Sequence, residues 1–172
     1  MKLTGKHIAY LVEEGFEDLE FWVPVMRLLE EGARLTIVGS GKGKTYRGKN
    51  CLEAKADVAA GEVSPDDFDG LVVPGGWAPD KLRRYPEVLS LVRGVYQQEK
   101  IVAAICHAGW VLISAGIVRG HKATGSVGIK DDLVNAGAEW VDAPAFRDGN
   151  LVWGRVVADI PDFCRELVQA LS

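Results

Sequence analysis

Between Lys100 and Arg119 the chain runs for eighteen residues, Ile101 to Val118, without an Asp, Glu, Lys or Arg. Such a run has to be hidden from water, in a bilayer or in a protein core, and its length touches the lower limit for a membrane span. Its internal pattern decides between the two. Ile101 to Ile105 is a short, partly β-branched apolar run, whereas Ala108 to Ala115 carries helical spacing ahead of Gly116. His107 and Ser114 also interrupt the apolar character. The expectation is a buried strand passing into a buried helix. A strand apolar at every position is one covered on both faces, as in a parallel sheet sandwiched by helices.

Strand and helix patterns alternate on either side of this run. His7 to Val12 reads as a strand, and the apolar set Leu19, Trp22, Val23, Met26 and Leu29 recurs at three and four residues before Gly32, which can close a helix. Pro24 is expected to kink that helix. Leu35 to Val38 reads as a second strand, and beyond a glycine-rich turn Leu52, Ala54, Ala56 and Val58 share one face of a hairpin-like excursion. Ser64-Pro65-Asp66-Asp67 is a helix-start signature, with Ser64 as the cap. Leu71 to Val73 is an apolar run ending at Pro74-Gly75-Gly76, and Val88, Leu91, Val92 and Val95 mark an amphipathic helix. Later come a short strand near Ala123, a helix near Ile129 to Ala136 and a hairpin around Asp148-Gly149. A last helix carries Ile160, Phe163, Cys164, Leu167, Val168 and Leu171 as its inner stripe. With no linker and no internal repeat, this alternation implies one domain over residues 1–172 built on a doubly wound α/β sheet. Ligands in such sheets bind at the carboxyl ends of the strands.

Composition narrows the function classes. Hydrophobic residues at 48% and charged residues at 26% exclude a disordered chain, and a net charge of −4 argues against a protein held mainly by nucleic-acid phosphates or anionic lipid. The first apolar run, Ile8 to Val12, is too short for a secretory signal and meets Glu13 and Glu14 at once. Three cysteines without metal spacing imply reduced thiols in a cytoplasm. His7, His107 and His121 show no ligand spacing, so neither a metal site nor a cofactor is expected. The stretch GSGKGKT resembles a phosphate loop, but that motif needs glycine where Val38 stands, and no helical pattern follows Thr45. Lys42, Lys44, Arg47 and Lys49 are expected to form a solvated basic loop.

The chemistry concentrates in AICHAGW, Ala104 to Trp110, which sets Cys106 where the buried strand hands over to the buried helix. A residue on such a turn is pushed out of the sheet, and free N–H groups at the helix start lower a thiol pKa. The competing reading is a small buried hydrophobe. Cys164 lies on the apolar stripe of the last helix and Cys51 has no activating group, so both serve as controls. His107 adjoins Cys106, and adjacent side chains usually diverge; it could instead offer its backbone N–H to an oxyanion. Gly75 and Gly76 could bring further N–H groups to the same point, or form an ordinary turn. Glu17 falls at the same sheet edge, where it could also be a plain helix N-terminal acid.

AICHAGW, together with EGFEDLE (Glu14 to Glu20), LVVPGGWAPD (Leu71 to Asp80) and the stretch LISAGIVRG to IKDDLVNAGAEWVD, closely resembles the ThiJ/PfpI family over nearly the whole chain. The resemblance implies a flavodoxin-like sandwich. It makes Cys106 the nucleophile at its elbow, Glu17 the acid whose carboxyl contacts the thiol, and Gly76 and the His107 amide the oxyanion donors. The family holds glyoxalase or deglycase enzymes, intracellular cysteine peptidases, and stress proteins whose cysteine senses oxidation. In the peptidase branch His107 is the base and an acid from a neighbouring subunit orients it; here that position is Asp80, where the peptidases have Glu. Ser126 and Val127 stand where peptidases often have Tyr, and Ala108-Gly109 replaces their Gly-Pro. These departures weaken a peptidase reading without touching Cys106 or Glu17. The leading expectation is a small-carbonyl enzyme in which a protonated Glu17 donates to the Cys106 thiolate. A peptidase with a Cys106, His107 and Asp80 relay and a non-enzymatic redox sensor are the alternatives. A site shared through Asp80 implies at least a homodimer, with Trp77 walling the pocket or filling the interface.

Overall fold

In the computed structural model, which covers residues 1–172, the uncharged run is a strand with every residue buried, Ile101–Ile105, followed by a turn and the helix Gly109–Ala115. Gly116 closes that helix in the left-handed conformation, φ 75°. No helix is long and apolar enough to cross a membrane.

In chain order the strands are β1 (His7–Leu11), β2 (Arg34–Gly39), β3 (Thr45–Arg47), β4 (Glu53–Lys55), β5 (Val58–Ala59), β6 (Gly70–Val73), β7 (Ile101–Ile105), β8 (Lys122–Ala123), β9 (Glu139–Trp140), β10 (Ala145–Asp148) and β11 (Leu151–Gly154). The helices are α1 (Asp18–Glu30), α2 (Ala78–Leu82), α3 (Pro86–Gln97), α4 (Gly109–Ala115), α5 (Lys130–Asn135) and α6 (Ile160–Leu171). Seven strands form the central sheet in the order β10-β11-β7-β6-β1-β2-β5, parallel throughout except for the edge strand β10. Helices α1 and α6 pack together, as do α3 and α4, and one continuous apolar core joins the layers to the sheet. From β1 the chain winds outward to β2 and β5, and from β6 it winds the opposite way to β7 and β11. The reversal falls between β1 and β6, the place where open α/β sheets leave a crevice at their carboxyl edge.

Most expected elements are present, including the β3–β4 hairpin, the β10–β11 hairpin and the fully buried stripe of α6. Three differ. Ser64 caps a single 3₁₀ turn, Pro65–Asp67, because Phe68 has to leave it at once for the core. The alternating stretch becomes strand only from Glu53, so Leu52 lies ahead of β4 and Cys51 before it sits in a bend with φ at 72°. The largest difference is the phase of α1. Its buried face is Phe21, Pro24, Val25 and Leu28 together with Asp18 and Glu20, whereas Leu19, Val23, Met26 and Leu29 are exposed, Met26 by 62%. Both faces of this helix carry apolar side chains, so periodicity alone selected the wrong one. The helix also continues through Pro24.

The two faces should differ in energetic weight. Leu28→Ala removes a fully buried side chain and is expected to cost about 2–5 kcal/mol, while Met26→Ala should stay within about 0.5 kcal/mol of wild type. Urea titration of the two variants checks both figures, and equal losses would reverse the assignment of the buried face.

Candidate active site

Three neighbouring strands, β1, β6 and β7, end at the same edge, and their following segments carry Glu17 and Glu20, Gly75 and Gly76, and Cys106 and His107. Cys106 directly follows the all-buried strand and opens a 3₁₀ turn with φ at +61°, a left-handed conformation that is strained for a side chain larger than glycine. That bend throws the thiol off the strand line while the Cys106 carbonyl accepts the Ser126 N–H at 3.2 Å, bracing the turn from below. The expected elbow is therefore present. Strain of this kind persists where its surroundings over-determine it, which is a mark of functional sites.

The first and second loops are stitched to one another. The Glu17 N–H donates to the Gly75 carbonyl (3.1 Å), the Trp77 N–H to the Gly15 carbonyl (2.7 Å), and Phe16 bridges Gly76. Only glycine fits at Gly76, where φ is +81° and an added Cβ would lie 2.4 Å from the Glu17 nitrogen. At Gly75 a Cβ would fall 2.2 Å from the Glu20 Oε2 and 2.8 Å from the Cys106 Cβ. The glycine pair thus lets three segments close on the sulfur.

Glu17 lines the cleft, but its carboxylate caps α1, accepting the Glu20 N–H at 2.8 Å. The carboxyl set beside the Cys106 thiol belongs to Glu20, one helical turn further on. Glu20 Oε2 accepts the Gly75 N–H at 2.9 Å, and Oε1 has no partner of regular hydrogen-bond geometry. Gly75 is therefore no oxyanion donor, since its one N–H is committed to Glu20. The amides of Gly76 and His107 lie near enough to the sulfur to pull its pKa down. The His107 side chain, expected to diverge, turns back to place Nδ1 3.3 Å from Sγ.

Burial sets the electrostatics. Glu20 is fully enclosed and its pKa rises from 4.5 to about 7, first by desolvation and then by the charge of Glu17. Desolvation and the Glu20 carboxylate push the Cys106 thiol up to about 12, while the His107 and Gly76 N–H groups pull it the other way. The expected lowering by a helix start is overruled, because the thiol is half-buried beside a second acid. Two acids in contact titrate as a pair, and this pair retains a proton through neutral pH. Burial, and then the Lys49 charge, lower the His107 pKa, so its imidazole is neutral near pH 7.

Above the pair opens a cleft of about 670 Å³ lined by Trp77, Trp110, Val157, Lys49 and Asp80 among others. Trp77 walls it while remaining 62% exposed. Asp80 lines the same cleft, paired with Arg84 four residues on, and makes no hydrogen bond or ion pair with His107 within the chain. Lys49, expected in a solvated loop, sits with Nζ 5.4 Å from the Trp77 ring. It is brought there by Asp18, whose buried carboxylate accepts the N–H groups of Asn50 and Leu52 at 2.8 Å each. Of the two residues missed in the sequence, Glu20 was legible as an acid in phase with Phe21, Pro24, Val25 and Leu28; nothing local to Lys49 reveals its place.

Comparison with known proteins decides the family. Residues 6–170 match the family model of the DJ-1/PfpI family. The chain belongs to the DJ-1/PfpI family. Deglycase PH1704 of Pyrococcus horikoshii is 44% identical over 165 residues, which is 96% of this chain and 99% of that one. Deglycase PfpI of Pyrococcus furiosus is 42% identical with the same coverage. A crystal structure of a two-domain protein from Anabaena variabilis, with DJ-1/ThiJ/PfpI-like and ferritin-like domains, superposes with a TM-score of 0.95 at 38% identity, covering 96% of this chain and 48% of that one. The flavodoxin-like sandwich of this family is the fold described above.

The raised pKa of Glu20 links the site to stability. A carboxyl with a folded pKa above its unfolded one stabilises fully below the unfolded value, and the contribution is lost as pH rises through the folded value. Between 4.5 and about 7 the difference is worth about 3 kcal/mol. Wild type should therefore lose melting temperature between about pH 5 and pH 8, and Glu20→Gln should flatten that decline. Thermal melts across the pH series test this; parallel slopes would contradict a neutral, buried Glu20.

Proposed function

We propose that the protein is a cofactor-independent enzyme acting on small reactive carbonyls, methylglyoxal or adducts derived from it, through the Cys106 thiolate. The observation that carries this reading is a carboxyl group, Glu20, buried against the thiol with a pKa near 7, the range a proton shuttle needs at neutral pH. The pair shares one proton, as thiol with carboxylate or as thiolate with carboxylic acid. Two amides, from Gly76 and His107, face the sulfur, whereas the carboxyl receives only the Gly75 N–H. The raised thiol pKa leaves the resting proton on sulfur, and the thiolate with Glu20 protonated is the reactive minor form, which the two amides facing the sulfur stabilise.

The thiolate adds to the aldehyde carbon, forming a C–S bond and moving the C=O electron pair onto oxygen. Glu20 protonates that oxygen to give a hemithioacetal. The resulting carboxylate removes the proton from the former aldehyde carbon and returns it to the adjacent carbon, while the hydroxyl proton of the hemithioacetal passes to the ketone oxygen, so the ketone becomes an alcohol and the first carbon a thioester. Water hydrolyses the thioester, releasing lactate and the thiolate; methylglyoxal and water are consumed. Gly76 and His107 N–H groups hold the negative oxygen. The cleft is many times larger than a three-carbon dicarbonyl, which leaves room for the amino acid or side chain that carries an adduct, and the relatives named deglycases support that choice.

A peptidase is the second reading, favoured by the 3.3 Å contact of His107 Nδ1 with Sγ. In it Asp80 of one subunit would orient His107 of another, so self-association belongs to that reading; light scattering showing a fully active monomer would remove it. Lactate release from methylglyoxal, amine release from a methylglyoxal-treated amino acid, and cleavage of fluorogenic peptides are measured side by side. Lactate or amine release is expected, abolished in Cys106→Ser and reduced about 10²–10⁴-fold in kcat by Glu20→Gln. Peptide cleavage alone would transfer the site to the second reading, and turnover of none would leave a redox-sensing cysteine.

A further inference from the structure

Proline has no amide hydrogen, so a proline inside a helix leaves the carbonyl four residues earlier without its helical donor. In α1 that proline is Pro24 and the orphaned carbonyl is that of Glu20, the residue whose side chain meets the thiol. The carbonyl is not left unpaired. The Tyr10 hydroxyl, fully buried in β1, donates to it at 2.6 Å. The Tyr10 ring packs edge-on against Phe21 at 5.0 Å, which fixes the direction of the hydroxyl. Burial also raises the Tyr10 pKa well above its ordinary value, so the group remains an O–H donor.

Glu20 is consequently held at each of its polar groups by a bond that is not part of the helix. Its N–H goes to the Glu17 carboxylate, its carbonyl takes the Tyr10 hydroxyl, and its carboxyl takes the Gly75 N–H. Tyr10 stands opposite Val72 of β6, and Val72 opposite Ala103 of β7, the strand that ends at Cys106. The hydroxyl therefore ties residue 20 to the same rigid frame that carries the sulfur. An ordinary residue at position 24 would satisfy the carbonyl within the helix and leave the helix free to shift against the sheet.

We propose that Tyr10 and Pro24 act together as positioning residues for the Glu20 carboxyl: Pro24 frees the Glu20 carbonyl from the helix, and Tyr10 anchors it to the sheet that carries Cys106. The proposal rests on Glu20 as proton donor to the Cys106 thiolate. Iodoacetamide reads thiol ionisation without any carbonyl substrate, so its result is separable from that of the methylglyoxal assay.

The experiment follows Cys106 alkylation by peptide mass mapping across a pH series in wild type, Tyr10→Phe, Pro24→Ala and the double variant. Tyr10→Phe keeps the packing and removes the donor. Its Cys106 profile should move to higher pH by about one unit, with alkylation at pH 7 about tenfold slower. Pro24→Ala restores an N–H that can reach the Glu20 carbonyl, so the double variant should recover to within about threefold of wild type. A Tyr10→Phe protein that melts at lower temperature but keeps the wild-type profile would show a structural role only and overturn the proposal. Where Tyr10→Phe alone does not melt cooperatively, the double variant decides. A wild-type profile supports the device, and a shifted profile or an unfolded double variant overturns it.

Discussion

Two acids, the Cys106 thiol and the Glu20 carboxyl, are pressed together out of water, and the arrangement around them follows from the cost of letting both ionise there. In bulk water each would titrate alone. Enclosed at the carboxyl edge of the sheet, both are raised first by desolvation, the Glu20 charge raises the thiol further while the thiol draws the carboxyl partly back down, and the surrounding amides oppose the rise at each group. The amides of Gly76 and His107 turn toward sulfur and that of Gly75 toward the carboxyl. Glu17 adds a further negative charge one turn away, and Lys49 offsets part of it from the cleft side.

Holding such a pair requires rigid supports, because a shift of either group toward solvent would relieve the repulsion. The thiol is supported by a covered strand ending in a left-handed bend, and the Ser126 amide braces that bend through the Cys106 carbonyl. The carboxyl is supported by the glycine pair, by the Glu17 cap and by Tyr10. Gly75 and Gly76 belong here for steric reasons: a Cβ at either would displace the groups they bring together. The same separation of tasks explains the three cysteines. Cys164 is buried in α6 with its thiol raised by burial to about 11, and Cys51 is exposed in a turn; neither has a carboxyl beside it or amides aimed at its sulfur.

Much of this was legible in the chain. The uncharged run from Ile101 to Val118 can only be covered on all sides, and its change of period marks the strand-to-helix turn that carries Cys106. Alternating patterns and the glycines at 75 and 76 place the site at a sheet edge, because strand order and carboxyl ends follow from local periodicity and connection rules. Which acid meets the thiol did not follow. Glu17 and Glu20 are three residues apart on a helix with two apolar faces, and Phe21, Val25 and Leu28 turn inward while Leu19, Val23 and Met26 do not. That choice depends on which face the sheet accepts, a long-range contact that no window of the helix contains.

The direction of the thiol pKa was likewise decided by tertiary structure. Local sequence supplies the amides at the start of the turn, which stabilise a thiolate, but desolvation and a neighbouring carboxyl depend on what lies across the cleft, and their sum is larger. Lys49 reaches the site only because Asp18, on another element, holds the backbone of Asn50 and Leu52. The sequence by itself determined the sheet, the elbow and the place of Cys106 on it, each written in short-range pattern. The partner acid, the committed Gly75 amide and the inward turn of His107 were left to the packing of segments distant in sequence, because side-chain direction and solvent exclusion exist only once those segments meet.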